Sequence, residues 1–369
     1  MRRTLGRCRT CFRLPAMPMI LTRRVEPIVA AIVRRHGAPE AVAADVAAHL
    51  TVAERSGHAS HGLSILPGYI EAVAAGRLDP AATPEKTRDD GAFVGFDGRR
   101  GYGQHAGRVA FEAAIEQARR GGSCFLTLAN SHHLGRAGHY GELVARAGLG
   151  LLAFMNVVGR RPTVAPFGGA EARLSTNPLC FALPLGPDRP PFLLDYATSG
   201  IAANKVRLLA AADRALEPGL MIDGAGRPTT DPHTLAAEPP GALLAFGAHK
   251  GYALGLMAEL LAGVLSGGAT AAPANARDGA VRNNLFAVVF DPARFGSGAW
   301  QQSESDAFLD YIAACPPALG TERVLIPGEP EAAARAASVD TVEMTDAAWR
   351  LFADCALSSG VDTDTCLAA

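Results

Sequence analysis

Cys124-Phe-Leu-Thr-Leu128 leads, across Ala129, into Asn130-Ser-His-His-Leu-Gly-Arg-Ala-Gly-His-Tyr140, and the fold turns on how this stretch is read. The first five residues have the length and apolar character of a buried strand. In the usual dinucleotide fold such a strand is followed by G-x-G-x-x-G opening a helix. Here three histidines, one arginine and two glycines stand in that place. Imidazole changes charge nearest neutral pH, guanidinium grips carboxylate or phosphate, and glycine lets a ligand approach the backbone. The loop therefore reads as a place for proton transfer and anion binding, with His133, at the strand-to-loop bend, a better proton carrier than His132 or His139. Helix capping ahead of Gly138 is the plainer alternative.

On either side the texture alternates. Strands are expected over 93–96, 149–156, 179–184, 192–195 and 285–290, with helices over 105–120 and 138–147 between them. An apolar helix is expected over 251–265, and the small, polar segment 270–282 reads as a mobile loop. Toward the N-terminus, Val25, Ile28, Val29, Ile32 and Val33 recur at helical spacing, with Thr22 as N-cap and Gly37 as the stop. Further helices are expected over 39–55, 63–75 and 345–356. The fold class is thus α+β: a mixed, largely antiparallel sheet domain with helices, beside a discontinuous helical domain, and not a Rossmann fold. The helical domain is expected to take 19–90 with 240–270 and 331–369, and the sheet domain, which binds the cofactor, 91–239 with 271–330.

Bulk properties narrow the class of ligand. A chain of 369 residues suits two packed lobes, and with 49% apolar but only 6% aromatic residues the interior rests on Ala, Leu and Val. A formal net charge of -1 gives no global field to draw nucleic acid or an anionic membrane. No run of about 20 uncharged apolar residues is present to span a bilayer. A small-molecule ligand fits better. Seven scattered cysteines without metal-ligand spacing read as reduced thiols of a cytoplasmic protein with no metal. Cys8 and Cys11 lie in a basic stretch, 1–18, expected to be a disordered tail; it is superficially like a transit peptide, or an over-extended start ahead of Met17 or Met19.

Four other segments carry chemistry. Ser60-His61-Gly62 sits at a break between helices, where an imidazole can be exposed and oriented, although a lone loop histidine is more often bland. Val164-Ala-Pro-Phe-Gly-Gly169 and Thr176-Asn-Pro178 can turn backbone N–H groups toward an anion, or serve as ordinary turns. Leu193-Leu-Asp-Tyr-Ala-Thr-Ser199 ends a strand in a carboxylate able to accept ribose hydroxyls, with Lys205 beyond it, or else Asp195 is an N-cap. His249-Lys-Gly-Tyr252 opens the apolar helix, and basic side chains at that positive end favour an anion. There is no Walker A sequence, no G-x-S-x-G elbow and no H-E-x-x-H, so hydrolase and zinc-protease chemistry is unsupported.

In order, Gly57-His-Ala-Ser-His-Gly62, the 130–138 loop, Ala165-Pro-Phe-Gly-Gly169, Thr176-Asn-Pro178, Asp195-Tyr-Ala-Thr-Ser199, Thr229-Thr-Asp-Pro232 and His249-Lys-Gly-Tyr252 resemble the malate/L-lactate dehydrogenase family, the non-Rossmann NAD(P) type with the L-sulfolactate/malate dehydrogenase-like fold. The Leu194–Ser199 run, the 249–268 region and Ile326-Pro-Gly-Glu329 look most like its hydroxycarboxylate dehydrogenase B branch. The resemblance implies a homodimeric 2-oxo acid/2-hydroxy acid oxidoreductase using NAD or NADP. It implies that His61 lies at nicotinamide and substrate, and that His61 or His133 carries the proton. Cofactor contacts would come from Gly135, Arg136 and Ala137, from Leu194, Asp195, Tyr196, Ala197 and Thr198, and from His249 and Lys250. Asn283, Asn284, Gly328, Glu329, Pro330 and Glu331 would complete them. Ser60, Thr176 and Asn177 would meet substrate.

One departure matters. Many members carry arginine four residues after the Ser-His-Gly histidine, gripping the substrate carboxylate; here Ile65 stands there. Arg160, Arg161 or Arg136 would have to replace it, and a bulkier aryl or branched substrate is suggested. The alternatives are reduction of a cyclic imine such as piperideine or pyrroline carboxylate, and a nucleotide-binding protein without turnover.

Overall fold

A computed structural model of the chain describes residues 18–363 and 366–367. The expectations for Cys8, Cys11 and the rest of 1–17 lie outside them. β1 (Met19–Leu21) leads into α1 (Thr22–Arg35), which buries Val25, Val29, Ile32 and Val33 along one stripe. α2 (Glu40–Arg55) sets Val42, Ala43, Val46, Ala47 and Leu50 against them, the i, i+3, i+4 spacing of an apolar helix face. Thr22 does not cap α1: Leu21 holds that position, and the Thr22 hydroxyl donates instead to Ser338 O, 3.1 Å away. The helix expected over 63–75 opens as a 3-10 turn, Leu63–Ile65, with Leu63 N–H donating to Glu54 Oε2 at 2.8 Å, and becomes α-helical at α3 (Leu66–Ala74).

β2 (Glu85–Asp90) is wholly exposed and charged, a blunted sheet edge that hydrophobic patterning cannot reveal. It pairs with β3 (Phe93–Asp97); α4 (Gly103–Gly121) then returns the chain so that β4 (Ser123–Ser131) runs parallel to β3. α5 (Ala137–Arg146), β5 (Gly150–Val158), β6 (Leu179–Leu183) and β7 (Phe192–Tyr196) follow. α6 (Ala203–Ala211) leads to a small sheet of β8 (Met221–Ile222), β9 (Pro228–Thr229) and β10 (Ala242–Leu243). α7 (His249–Ala258) runs on as a π-helix over Glu259–Val264, and β11 (Arg282–Phe290) threads back between β4 and β5. α8 (Gly298–Ala313), α9 (Glu329–Ala337), β12 (Thr341–Glu343, paired with β1) and α10 (Asp346–Ser358) complete the described chain.

The large sheet has the order β2-β3-β4-β11-β5-β6-β7, antiparallel at every junction except β3–β4. One face presents Leu126, Leu128, Leu151, Ala153, Leu285 and Ala287 to α4 and α5. The residues of opposite parity, among them Phe154, Leu179 and Phe286, meet Leu254, Ala258 and Leu261. Segment 240–270, expected beside the N-terminal helices, thus packs its helix on the sheet. Without that helix the second apolar face of the sheet would lie open to water. α10 does join α1–α3, through Phe352, Cys355 and Ala356. Segment 270–282 lacks regular structure up to Arg282, which opens β11, but is tied down, with Ala271 N–H donating to Glu259 Oε2 at 3.0 Å and Asn275 Nδ2 to Thr270 O at 2.9 Å.

Candidate active site

At the end of β4 the register slips: Leu285 faces Leu128 but Asn283 faces Ser131, so Ala129 and Asn130 lie opposite Asn284 alone. Asn130 takes the left-handed conformation, φ 54°, and its N–H donates to Asn284 Oδ1 at 2.9 Å. Such a bulge re-aims the side chains that follow. His132 turns inward, 3% exposed and edge-on to Tyr69, while His133 emerges half-buried.

The break at Ala59–His61 supplies the facing imidazole. His61 and His133 stack with ring centroids 5.7 Å apart and planes 18° from parallel. Tyr69 Oη lies 2.7 Å from His133 Nδ1, and Gln104 Nε2 donates to the same phenolic oxygen at 2.8 Å. Burial pushes the Tyr69 phenol far above its ordinary pKa, so it keeps its proton. With the amide donating to it, that proton points at Nδ1, which makes neutral His133 an Nε2–H tautomer. Burial, then the charges of His61, His132 and Arg160, holds His133 well below the usual imidazole value. His61 is also lowered by burial, against the opposing pull of Asp195, and its Nδ1 lies 3.0 Å from Ser60 Oγ. Both rings are therefore neutral near pH 7, one locked as a donor and the other beside a hydroxyl.

Several expected residues are used inside the protein instead. Arg136, 1% exposed, donates from Nη2 to Glu142 Oε1 at 2.9 Å, with Nε 3.7 Å from Asp195 Oδ2. Arg335 Nη1 reaches the same Glu142 oxygen at 2.8 Å, so Arg136 belongs to a buried cluster of two guanidiniums on one carboxylate. Gly135 is needed because His49 Nε2 occupies the place of a Cβ and accepts Arg136 N–H at 2.8 Å. A Cβ on Gly138 would come within 2.8 Å of Asp195 Oδ2, which accepts Gly138 N–H at 2.7 Å on the first turn of α5. Asn283 takes Leu134 N–H on Oδ1 and gives Nδ2 to Asn156 O; Asn284 is spent on Asn130, Asn156 and Gly268. Asn177 Nδ2 donates to buried Glu259 at 2.8 Å, so all three amides are structural. Thr176 O receives both the N–H and the hydroxyl of Thr198.

The remaining candidates divide. Asp195 keeps Oδ1 beyond the bond to Gly138, and its charge is felt at His61. His58, whose charge also reaches His61, is 3.2 Å from Glu331 Oε1. Glu329 caps its own turn, accepting Ile326 N–H at 3.0 Å and pairing with Arg323. Leu194 packs beside α7 and Tyr196 stands edge-on to Phe246, 5.1 Å away. His249 and Lys250 are exposed at the start of α7; among the described residues His249 meets the Phe167 ring at 5.8 Å, and no hydrogen bond or ring contact joins either to the histidine pair. Ile65 packs on the helical core, where it can hold no anion. Arg160 is the arginine whose charge reaches both His132 and His133, whereas Arg161 lies 3.8 Å from Glu238. Tyr69, Gln104 and Glu54 carry no signal in the sequence that sets them apart, and His58 stands out only as part of the Gly57–Gly62 run. Tyr69 sits in a helical apolar stripe and Gln104 in a glycine-rich helix start, patterns that core packing explains equally well.

A family model described as malate/L-lactate dehydrogenase matches residues 21–352. An L-lactate dehydrogenase from Cupriavidus necator is 52% identical over 312 residues, 85% of this chain and 89% of that protein. Hydroxycarboxylate dehydrogenase B from Escherichia coli is 36% identical, covering 91% of this chain and 93% of its own. Among solved structures, sulfolactate dehydrogenase from Methanocaldococcus jannaschii superposes with a TM-score of 0.80 at 29% identity, over 94% of this chain and 99% of that one.

Proposed function

Because the chain belongs to the malate/L-lactate dehydrogenase family, we propose that it is a dehydrogenase interconverting a 2-hydroxy acid and its 2-oxo acid with NAD or NADP. The observation that carries this reading is the stacked, half-buried pair of neutral imidazoles with its Gln104–Tyr69 relay. The residues beside the pair suit a nucleotide: Asp195 Oδ1 and Glu331 offer acceptors for hydroxyls, and the Gly328 turn brings backbone close. Leu194, Ala197, Thr198, Gly328 and Pro330 complete that proposed lining. When bound, nicotinamide supplies or accepts the hydride at the carbon that becomes or was the carbonyl.

The protein's part is polar. His133 Nε2–H donates a hydrogen bond to the substrate oxygen and draws charge onto it, with Tyr69 holding the ring in the right tautomer. His61, its Nδ1 turned to Ser60, takes the hydroxyl proton in oxidation and returns it in reduction. Arg160 holds the carboxylate in place of the absent arginine at position 65. The reading includes a homodimer, supported by the apolar side chains that the π-helix leaves open, with Leu260 61%, Val264 55% and Leu265 59% exposed. It includes a cytoplasmic location, supported by the five described cysteines being free thiols.

The test is oxidation of NADH and NADPH against pyruvate, oxaloacetate, 2-oxoglutarate, phenylpyruvate and branched 2-oxo acids, with Δ1-piperideine-2-carboxylate as the imine competitor. Turnover of an oxo acid is expected. Binding of NADH without oxidation across the panel, or turnover of the imine alone, would overturn the reading.

A further inference from the structure

Where α6 meets the small sheet lies a cavity of about 710 Å³ with Arg160, Arg161, Arg207, Arg277 and His233 on its wall and no acidic residue among those lining it. Arg160 feels the charges of Arg207 and Arg77, which, after burial, hold its pKa down. Among the described residues, Arg77, Arg160 and Arg207 have no ion pair. The carboxylates around it have partners of their own: Glu238 lies 3.8 Å from Arg161, Asp213 3.1 Å from His233, and Asp278, between the wall residues Arg277 and Gly279, pairs with Arg282 at 2.9 Å. Like charges gathered on one wall destabilise the empty protein unless an anion offsets them.

Two links join this cavity to the reacting centre. The Arg160 charge reaches His132 and His133. Asn204, in the first turn of α6, donates to Ser60 O at 3.3 Å, and Arg207 follows it by three residues on the same helix, the spacing of face neighbours. A substrate held between His61 and His133 thus has α6 as a rail leading into the cavity. The floor is aliphatic, from Val206 and Leu235, so methylene groups are welcome before the charge is met.

Resting on the dehydrogenase reading above, we infer that the cavity is a subsite for the far end of the substrate: an extended 2-oxo acid whose side chain runs over apolar wall and ends in a second anionic group. Arg160 takes the carboxylate next to the carbonyl, while Arg207 takes the distal anion, with Arg77, whose side chain approaches Gly279 of the cavity wall, adding its charge. One small monocarboxylate would leave both of these guanidiniums uncompensated.

The matched pair 2-oxoadipate and 2-oxohexanoate, equal in carbon number but differing in the terminal carboxylate, isolates that charge. The expected result is a kcat/KM ratio favouring 2-oxoadipate by ~10-fold or more, falling by ~10-fold, about 1.4 kcal/mol, in Arg207→Gln and in Arg77→Gln. A merely structural role for either arginine would lower both acids together and leave the ratio where it was. A ratio at or below one in the unaltered protein, or one that survives in both variants, would overturn the inference while leaving the dehydrogenase intact. Failure to turn over these two acids and every member of the oxo-acid panel with NADH or NADPH overturns the dehydrogenase reading, and the inference with it.

Discussion

Tyr69 Oη approaches His133 Nδ1 to 2.7 Å while accepting a hydrogen bond from Gln104, so a phenol 64 residues away in sequence decides which nitrogen of the histidine carries the proton. Tyr69→Phe removes that control and leaves the ring free to present a lone pair. We expect kcat to fall by roughly 10- to 100-fold, less than the ~10²–10⁴ associated with loss of an acid–base group itself. Steady-state kinetics, with circular dichroism to verify folding, checks this; unchanged kcat would remove Tyr69 from the scheme.

In the proposed mechanism the two imidazoles have different duties and should fail differently. His61→Asn is expected to lower kcat by ~10²–10⁴-fold and erase its ionisation from the pH–rate profile. His133→Asn retains an N–H donor and should keep more activity than His133→Phe. Since burial lowers the pKa of His61 from 6.5, oxidation should hold as pH falls below 6.5, whereas reduction, which needs the imidazolium, should slow as pH rises. Equal losses in all three variants would sink the division of labour.

Glu142 is the shared counterion of Arg136 and Arg335 and is only 3% exposed. Glu142→Ala leaves a buried guanidinium without its partner and should destabilise the fold by about 3–5 kcal/mol. The denaturation midpoint in urea reads this, and a shift worth under about 1 kcal/mol would show that solvent or Asp195 compensates.

Stability should bend with pH in two opposite senses. Burial lowers His132 from 6.5 to about 3 and His139 to about 4, so the unfolded chain binds protons that the folded one refuses. Their contribution is present above pH 6.5 and is lost as pH falls toward about 4 and then 3. Glu54, raised by burial from 4.5 to about 7, acts the other way: its contribution is complete below pH 4.5 and is lost as pH rises through about 7. Denaturation midpoints across this range should show the neutral limb flatten in Glu54→Gln and the acid limb in His132→Asn. Parallel curves for variant and parent would refute the assignment.

Leu260→Glu and Val264→Glu place charge on the open apolar side of the π-helix. Sedimentation should give a dimer for the unaltered protein and monomer for the double variant. A monomeric parent would remove the homodimer from the proposal.

What could be read from the chain follows a physical division. Leu126, Leu128, Leu151 and Ala153 announce buried strands because α4 and α5 cover one face and α7 the other. His61 and His133 were visible because Ser, Gly and loop context mark side chains that are not simply core. β2 was hidden, its six residues being exposed and paired with β3 along the backbone, with no apolar side chain to mark it. So was the small sheet, whose two-residue strands have no period to detect. Arg136, Asn177, Asn283 and Asn284 look like ligand groups in one dimension. Only the fold shows that their partners are Glu142, Glu259, Leu134 and Asn130. Tyr69 and Arg207 were missed for the converse reason: an ordinary helix places each where distant residues need it.

The kink at Ala129 and Asn130 also settles a choice between twins. His132 and His133 are chemically identical neighbours just past the end of β4, and the extra residue opposite Asn284 sets where the chain leaves the sheet. Deleting either residue of the kink would restore the register and move that exit by one position. Which of the twins faces the open side is thus tied to a count of residues, written into the main chain before any side chain takes part.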